Sequence, residues 1–189
     1  QGTHTPLRDD RGRPIVPYDM NDSGQIVGNA QFGPNSSVGR AFLRTGNTLL
    51  DLGASPNGGY SVALGINNAG QVVGALEGSA FLYQDGALLK LGSLGGPISG
   101  AFDINDLGVI VGGSTVDNMG GWSHGFVYIN GAMHDLNALV PAGSGWVIGT
   151  ANHINNRGQI LAQGLHDGVL GYLLLTPTQS AVTVSLPTF

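Results

Sequence analysis

The residues best suited to chemistry are the carboxylates, and two pairs of them recur at matching places in the chain. Asp22 and Asp106 each follow an asparagine in a repeated turn, and Asp51 and Asp135 share one position of a repeated leucine-rich segment. A glycosidase needs two carboxylates that face one cleft at a defined separation. Repeated placement indicates instead a role within the repeat architecture, such as hydrogen bonding to turns or to the backbone. We therefore predict structural roles for them.

Other catalytic patterns are missing from the sequence. The chain has no cysteine and no Gly-x-Ser-x-Gly segment, so the usual activated nucleophiles are excluded. The Asn-Asp turns supply one carboxylate each, whereas a calcium loop needs several oxygen ligands at alternating positions. The histidines show no metal-protease spacing; they are His4, His124, His134, His153 and His166. The sequence predicts a protein that is not an enzyme and that needs neither a metal nor a cofactor.

Composition narrows the possible partners. Charged residues make up 10% of the chain, the formal net charge is −5, and the seven Lys and Arg residues are scattered. Without a basic stripe, nucleic acid and anionic membrane surfaces are poor partners. The longest apolar run, Gly168 to Leu175, is far too short to cross a bilayer. We predict no nucleic-acid binding and no membrane insertion.

One nine-residue motif organises the sequence and occurs four times. Its form is Ile-Asn-x-x-Gly-Gln-Val-Val-Gly, and its asparagines are 46, 38 and 50 residues apart: Asn21, Asn67, Asn105 and Asn155. An Asn-x-x-Gly segment favours a tight turn between two strands, because both residues tolerate positive φ and the Asn side chain can bond to its own backbone.

Two further motifs complete each unit. An Ala-Phe-Leu motif follows each turn, as Ala41-Phe42-Leu43, Ala80-Phe81-Leu82, Gly125-Phe126-Val127 and Gly171-Tyr172-Leu173. A Leu-x-Leu segment follows the first three copies. Each unit therefore reads as about four short strands, which is the size of a propeller blade.

These units predict an all-β fold: a small β-propeller of about four four-stranded blades, closed by pairing of the chain ends. A single domain covers residues 1–179, with repeats near 18–63, 64–101, 102–151 and 152–179. Leu7 lies 14 residues before Asn21, as Leu91 lies 14 before Asn105. Residues 5–17 are therefore predicted to complete the last blade, which removes exposed sheet edges.

The tail at residues 180–189 competes for the same place. It alternates apolar and polar residues and has high β propensity, and its apolar residues are Ala181, Val182, Val184, Leu186 and Phe189. Either this tail or the N-terminal segment forms the fourth strand of the last blade. The displaced segment then pairs with a neighbouring molecule by strand addition or docks locally.

Two tryptophans are the candidate ligand-binding residues. Trp122 and Trp146 fall in long insertions of the third repeat, outside the repeated framework. Loops on rigid scaffolds often carry binding residues, so sugar stacking and a subunit contact are both open, and so is simple packing over the end of the blade.

The three motifs, together with a Gly-Gly-x-x-Ser-x-Ala run at 95–101, resemble those of the bacterial HAF-repeat family, extracellular repeat proteins. The resemblance covers about Leu7 to Pro177. It implies an exported repeat protein and brings no catalytic residues. The favoured function is a non-catalytic extracellular structural or interaction module that assembles with itself through its C-terminal strand. A propeller lectin that binds surface glycans is the alternative, and a hydrolase or lyase at the propeller mouth is a weaker one.

Overall fold

The computed structural model describes residues 2, 4–9, 11–33, 37–53, 59–118 and 123–178, which form four antiparallel sheets. Sheet 1 contains β1 (Val16–Met20), β2 (Ile26–Gln31), β3 (Gly39–Thr45) and β4 (Thr48–Asp51). Sheet 2 contains β5 (Ser61–Ile66), β6 (Val72–Leu76), β7 (Ser79–Gln84) and β8 (Ala87–Gly92). In both sheets the strands are neighbours in their sequence order.

Sheets 3 and 4 follow the same order but differ in strand number. Sheet 3 contains β9 (Ser99–Ile104), β10 (Ile110–Thr115), β11 (Ser123–Ile129) and β12 (Ala132–Asp135), and a short 3-10 turn at Leu136–Ala138 follows it. Sheet 4 contains β13 (Trp146–Ile154), β14 (Ile160–His166) and β15 (Val169–Leu175). The predicted all-β class and the repeated sheet unit are confirmed, although the described part of sheet 4 has three strands.

The repeated Asn-x-x-Gly segments form the predicted turns between the first two strands of each sheet. In sheet 2 the Asn67 side-chain oxygen accepts from the backbone N–H groups of Ala69 at 3.1 Å and Gln71 at 3.0 Å. Gly70 has a φ of 78°, a left-handed conformation that glycine adopts without steric cost. Asn and Gly therefore recur because the turn requires both of them.

The sheets stack in sequence order, and three of the buried clusters each lie between two successive sheets. The proximal face of a sheet is defined here as the face toward the preceding sheet, and the distal face as the one toward the following sheet. Between sheets 1 and 2, Val27, Ala41 and Leu43 on the distal face meet Ile66, Val72 and Phe81 on the proximal face; the other two interfaces repeat this arrangement.

The N-terminal segment packs against sheet 1, and in the described part of the chain it does not pair with β15. Among the described residues 5–17, Arg8 bridges Pro14, and β1 pairs with β2 rather than with β15. Leu7 and Ile15 pack over Phe42 on the proximal face of sheet 1, away from the Asn21 turn. Leu91, the equivalent of Leu7, lies in one buried cluster with Phe126 in the same way, so this packing agrees with the predicted place, and the pairing with β15 stays a prediction. Closure by the chain ends is absent from the described residues.

The last strand differs from the sequence alignment by one residue. Phe42, Phe81 and Phe126 each lie opposite a glycine of the neighbouring strand, whereas the residue opposite the equivalent Ala162 is Leu173. Tyr172 therefore occupies the Ala80 position and not the Phe81 position. A one-residue slip moves a side chain to the other face of a sheet, so Tyr172 lies on the distal face and is 75% exposed.

Candidate functional site

The four repeated turns meet at one end of the sheets and form a hydrogen-bonded ladder. The Asn21 side-chain N–H donates to the Asn67 carbonyl at 3.1 Å, Asn67 to Asn105 at 3.0 Å, and Asn105 to Asn155 at 3.1 Å. Every step runs from one sheet to the next in the same direction. At the end of the ladder, the Asn155 amide donates to Gln159 within its own turn.

The residue after each asparagine adds a second row of bonds. Asp22 N–H donates to the Asn68 side-chain oxygen at 3.0 Å, Asn68 N–H to Asp106 at 2.9 Å, and Asp106 N–H to Asn156 at 2.9 Å. This position reads Asp, Asn, Asp, Asn along the four sheets. Each step therefore joins a carboxylate to an amide, and no two carboxylates are adjacent.

Hydrogen bonds hold the pKa of Asp106 below its usual range. The largest cause is the Asn68 backbone N–H, followed by the Asn156 side chain, which donates to Asp106 at 2.7 Å. These donors favour the charged form of the carboxyl group. All four turns also line one cavity of about 300 Å³, to which each contributes three consecutive residues.

A second position alternates with the same two-sheet period. Two residues before each turn asparagine the chain has Asp19, Gly65, Asp103 and His153. Asp103 accepts from Ile104 N–H in its own sheet and from Ile154 N–H in the next, both at 2.8 Å. Asp19 bonds in the same way to Met20 and Ile66. One aspartate therefore serves two sheets, and the following sheet needs none.

Burial raises the pKa of Asp103 above its usual range; the N–H donors of Ile154 and Ile104 oppose this shift, and the Asp19 carboxylate adds to it. The folded state then holds the Asp103 proton more tightly than the unfolded state. The stability contributed by this group is present below the unfolded pKa of about 4 and is lost as the pH rises through the folded value.

We expect the Asp103→Asn variant to escape this loss. Urea unfolding at a series of pH values should show the variant gaining on the wild type as the pH rises from about 3. Asp167→Asn is the control, because this residue is on an exposed hairpin and its side chain is 78% exposed. An unchanged difference between wild type and Asp103→Asn across the series would contradict the raised pKa.

The distal face of sheet 4 is an exposed version of a surface that is buried in every other sheet. Leu161 is 51% exposed, whereas its equivalents Val27, Val73 and Val111 are 0% exposed. Leu174 lies opposite Leu161 and is also exposed. Together with Tyr172, these residues border a cavity of about 400 Å³. We call Leu161, Tyr172 and Leu174 the distal patch.

The proximal face of sheet 1 is exposed at the end of the sheet near the Asn21 turn. Met20 is 63% exposed, while its equivalents Ile66, Ile104 and Ile154 are at most 8% exposed. Pro17 is exposed as well, although alanines at this position in the other sheets are buried. We call Pro17, Met20 and the half-buried Ile26 the proximal patch. The two patches are the two halves of the interface that joins successive sheets inside the chain.

The predicted ligand-binding residues are only partly placed. Trp146 is half-buried at the start of β13, with its ring centroid 5.0 Å from that of His166. Its ring covers Gly171, where an added Cβ would come within 2.9 Å, so Trp146 packs on its own sheet. Trp122 and the predicted assembly residues Ala181, Val182, Val184, Leu186 and Phe189 lie outside the described residues.

Asp51 and Asp135 have partners within their own repeat, whereas Asp22 and Asp106 bond to the turns of neighbouring sheets. Asp51 accepts from Gly53 N–H at 3.0 Å and pairs with Arg40 at 2.8 Å. Asp135 accepts from Asn137 N–H and pairs with the His124 ring. Among the described residues, no group of three or more His, Asp or Glu side chains is arranged to hold a metal ion.

Comparison with known proteins finds no matching family model, no similar curated protein and no similar solved structure. The likeness to the HAF-repeat family therefore remains a prediction. No helix in the described part of the chain is long and apolar enough to span a membrane. Reading the repeats one by one missed both patches. The sequence features that could have indicated the patches are the two-unit alternation of Asp22, Asn68, Asp106 and Asn156 and the leucine at position 161.

Proposed function

We propose that this protein is a non-catalytic, extracellular structural or interaction module of the propeller type, which binds its partner through the incomplete fourth sheet. The convergence of four blade-like sheets on one cavity supports the propeller architecture. The likeness of the three motifs to those of the HAF-repeat family supports export.

The observation that carries this proposal is the open edge of β15. Sheets 1 to 3 each have a fourth strand, and among the described residues β15 has no neighbour on its outer side. In sheet 1, Ala41 N–H donates to the Ser61 hydroxyl and its carbonyl accepts from Leu52, both on the side away from β2. Tyr172 is the equivalent residue, so its backbone groups face outward. An exposed edge with free N–H and C=O groups is a template for an added strand.

The C-terminal tail is the proposed donor of that strand. Its alternating residues Ala181 to Leu186 match a strand with one buried face. When the tail of a neighbouring molecule pairs with β15, the molecules assemble by strand exchange. The carbohydrate-binding alternative rests on Trp122 and Trp146 and stays a prediction.

The test compares three forms with the full chain: a deletion of residues 180–189, Tyr172→Pro and Tyr172→Thr. Proline removes the outward N–H of an edge strand and is tolerated there, whereas threonine keeps that N–H and favours a strand. We expect the deletion and the proline variant to lose, in light scattering, the part of the assembly that depends on the tail. Tyr172→Thr should retain it.

Hydrogen exchange adds a second measurement. The amides of Leu170, Tyr172 and Leu174 should exchange slowly in the full chain and quickly in the deletion. Compact monomers in which these amides exchange equally fast with and without the tail would overturn the proposal.

A further inference from the structure

The exposed ends of the sheet stack define an interface for a second molecule. We propose that the distal face of sheet 4 packs against the proximal face of sheet 1 of a second copy of this chain, head to tail. This inference rests on the proposed function only in taking the protein to act by binding. It concerns the sheet faces and not the β15 edge.

Apolar surface is the first argument. The distal patch has the residue positions that, in sheets 1 to 3, receive the next sheet, and the proximal patch has those that, in sheets 2 to 4, pack against the preceding sheet. Both patches are exposed at positions where the equivalent residues are buried. Joining them removes large apolar side chains from water, which stabilises the contact by about 25 cal/mol for each Å² of apolar surface buried. It also extends a contact that the chain already makes three times.

The direction of the ladder is the second argument. In the asparagine row the donor lies on the earlier sheet and the acceptor on the later one at every step, and the backbone N–H groups of the second row run the same way. Within these described turns, only the side chains of Asn68 and Asn156 donate back, to Asp22 and Asp106. The fourth turn is therefore left with two donors, the Asn155 side-chain N–H and the Asn156 backbone N–H. The first turn is left with two acceptors, the Asn21 carbonyl and the Asp22 side-chain oxygen. A head-to-tail contact supplies each of them, whereas two fourth sheets would bring donors against donors.

The two-sheet alternation is the third argument, and it decides which sheet follows sheet 4. His153 occupies the position at which Asp19 and Asp103 serve the next sheet, so the sheet that follows must carry its own aspartate. Sheet 1 does: Asp19 accepts from Met20 N–H at 2.8 Å. The same contact brings Asn156 beside Asp22, which continues the carboxylate–amide order. A contact between two first sheets would bring Asp22 against Asp22.

The N-terminal segment limits the contact to the half of sheet 1 that lies near the Asn21 turn. Leu7 and Ile15 already cover Phe42 on the half farther from the turn, so the second copy meets Pro17, Met20, Ile26 and the turns. Leu161 and Leu174 also lie near a turn, the Asn155 turn of sheet 4. The intermolecular contact is therefore narrower than those inside the chain, and association should depend on concentration.

The experiment blocks one end at a time in the full chain. Leu161→Asp places a carboxylate in the distal patch and Met20→Glu places one in the proximal patch. Both residues are exposed in the monomer, so folding should be retained. Leu89→Asp is the matched control, because Leu89 is 53% exposed in the outer strand β8. Sedimentation over a concentration series reports the association state of each form.

We expect the wild type and Leu89→Asp to associate, and each end variant alone to weaken association by at least about a hundredfold, the cost of burying an unpaired charge. Mixed in equal amounts, the two end variants should form a one-to-one complex, because each retains one intact end. A monomeric wild type, association of either end variant at wild-type strength, or no complex in the mixture would each overturn the proposal.

The same series separates this inference from the proposed function. Association through the sheet faces survives deletion of residues 180–189, whereas strand addition does not. Association through β15 survives Leu161→Asp and Met20→Glu.

Discussion

Gly74→Ala is expected to lower the free energy of unfolding by about 3 kcal/mol. A Cβ at this position would lie 2.0 Å from the Val62 carbonyl oxygen and 3.0 Å from the Phe81 ring. The first distance is far below van der Waals contact, and the obstacle is backbone in the neighbouring strand. To admit a methyl group, β5 and β6 must separate, which breaks their pairing. Chemical denaturation monitored by fluorescence or circular dichroism measures the change.

Gly149→Ala is the matched control for this substitution. Gly149 also lies within a strand, but an added Cβ there would meet its nearest atoms at 3.6 and 3.7 Å, which is ordinary contact. We expect this variant to stay within about 0.5 kcal/mol of the wild type. Because the main obstacle at Gly74 is a carbonyl oxygen, adding Phe81→Leu should not rescue Gly74→Ala. Rescue by that second change would show that the Phe81 ring is the main obstacle. Equal stability of the two glycine variants would show that β5 and β6 separate at little cost.

Sheet 4 shows how the chain accommodates an alanine at this position. Ala162 replaces the glycine found in sheets 1 to 3, and the opposite residue is Leu173 instead of phenylalanine. Its first strand, β13, has two irregularities in its pairing with β14, where β5 has one in its pairing with β6. The close glycine contact moves to Gly164, whose added Cβ would lie 2.3 Å from the Val147 carbonyl oxygen. The extra bulge therefore shifts the close approach along the strand.

The main register error of the sequence interpretation has its cause in the β14–β15 hairpin, whose pairing is regular. The small-aromatic-aliphatic order of Gly171-Tyr172-Leu173 matches Ala80-Phe81-Leu82, and sequence similarity alone aligns them. The structure aligns Tyr172 with Ala80 because the register follows the backbone pairing with β14. In both sheets a two-residue turn sets this register, but Gly171 lies three residues after the turn glycine Gly168, whereas Ala80 lies two residues after Gly78. The motif alone does not reveal this difference.

The repeat unit itself was predictable because its determinants are local. The Asn-x-x-Gly turn needs one side-chain oxygen and one positive φ, both supplied within five residues. The spacing from Leu7 to Asn21 matches that of a fourth strand, and the pairing of this segment with β15 stays a prediction. In the structure Asp9 bonds to Arg13 through both backbone and side chain, which folds this segment back on itself. The ladder joins residues 38 to 50 positions apart, so its direction emerges only when the sheets stack.

The ladder predicts a large difference between two asparagines that have the same local bonds. Asn67 and Asn155 each accept from two N–H groups of their own turn and donate to the glutamine four residues on. Asn67 also donates to the Asn105 carbonyl and is 3% exposed, whereas Asn155 is exposed. We expect Asn67→Ala to lower the free energy of unfolding by about 3 kcal/mol and Asn155→Ala by about 1 kcal/mol. Denaturant unfolding of the dilute protein measures both.

Asn67→Asp separates the turn from the contact between sheets. The carboxylate keeps the oxygen that accepts from Ala69 and Gln71, but it replaces the donor toward Asn105 with a second oxygen that faces a carbonyl. If the ladder stabilises the stack, this variant should be nearly as unstable as Asn67→Ala, because a buried acceptor is left against another acceptor. Wild-type stability of Asn67→Asp would show that the turn alone uses this side chain. In that case the direction of the ladder would carry no information about which sheet follows the fourth.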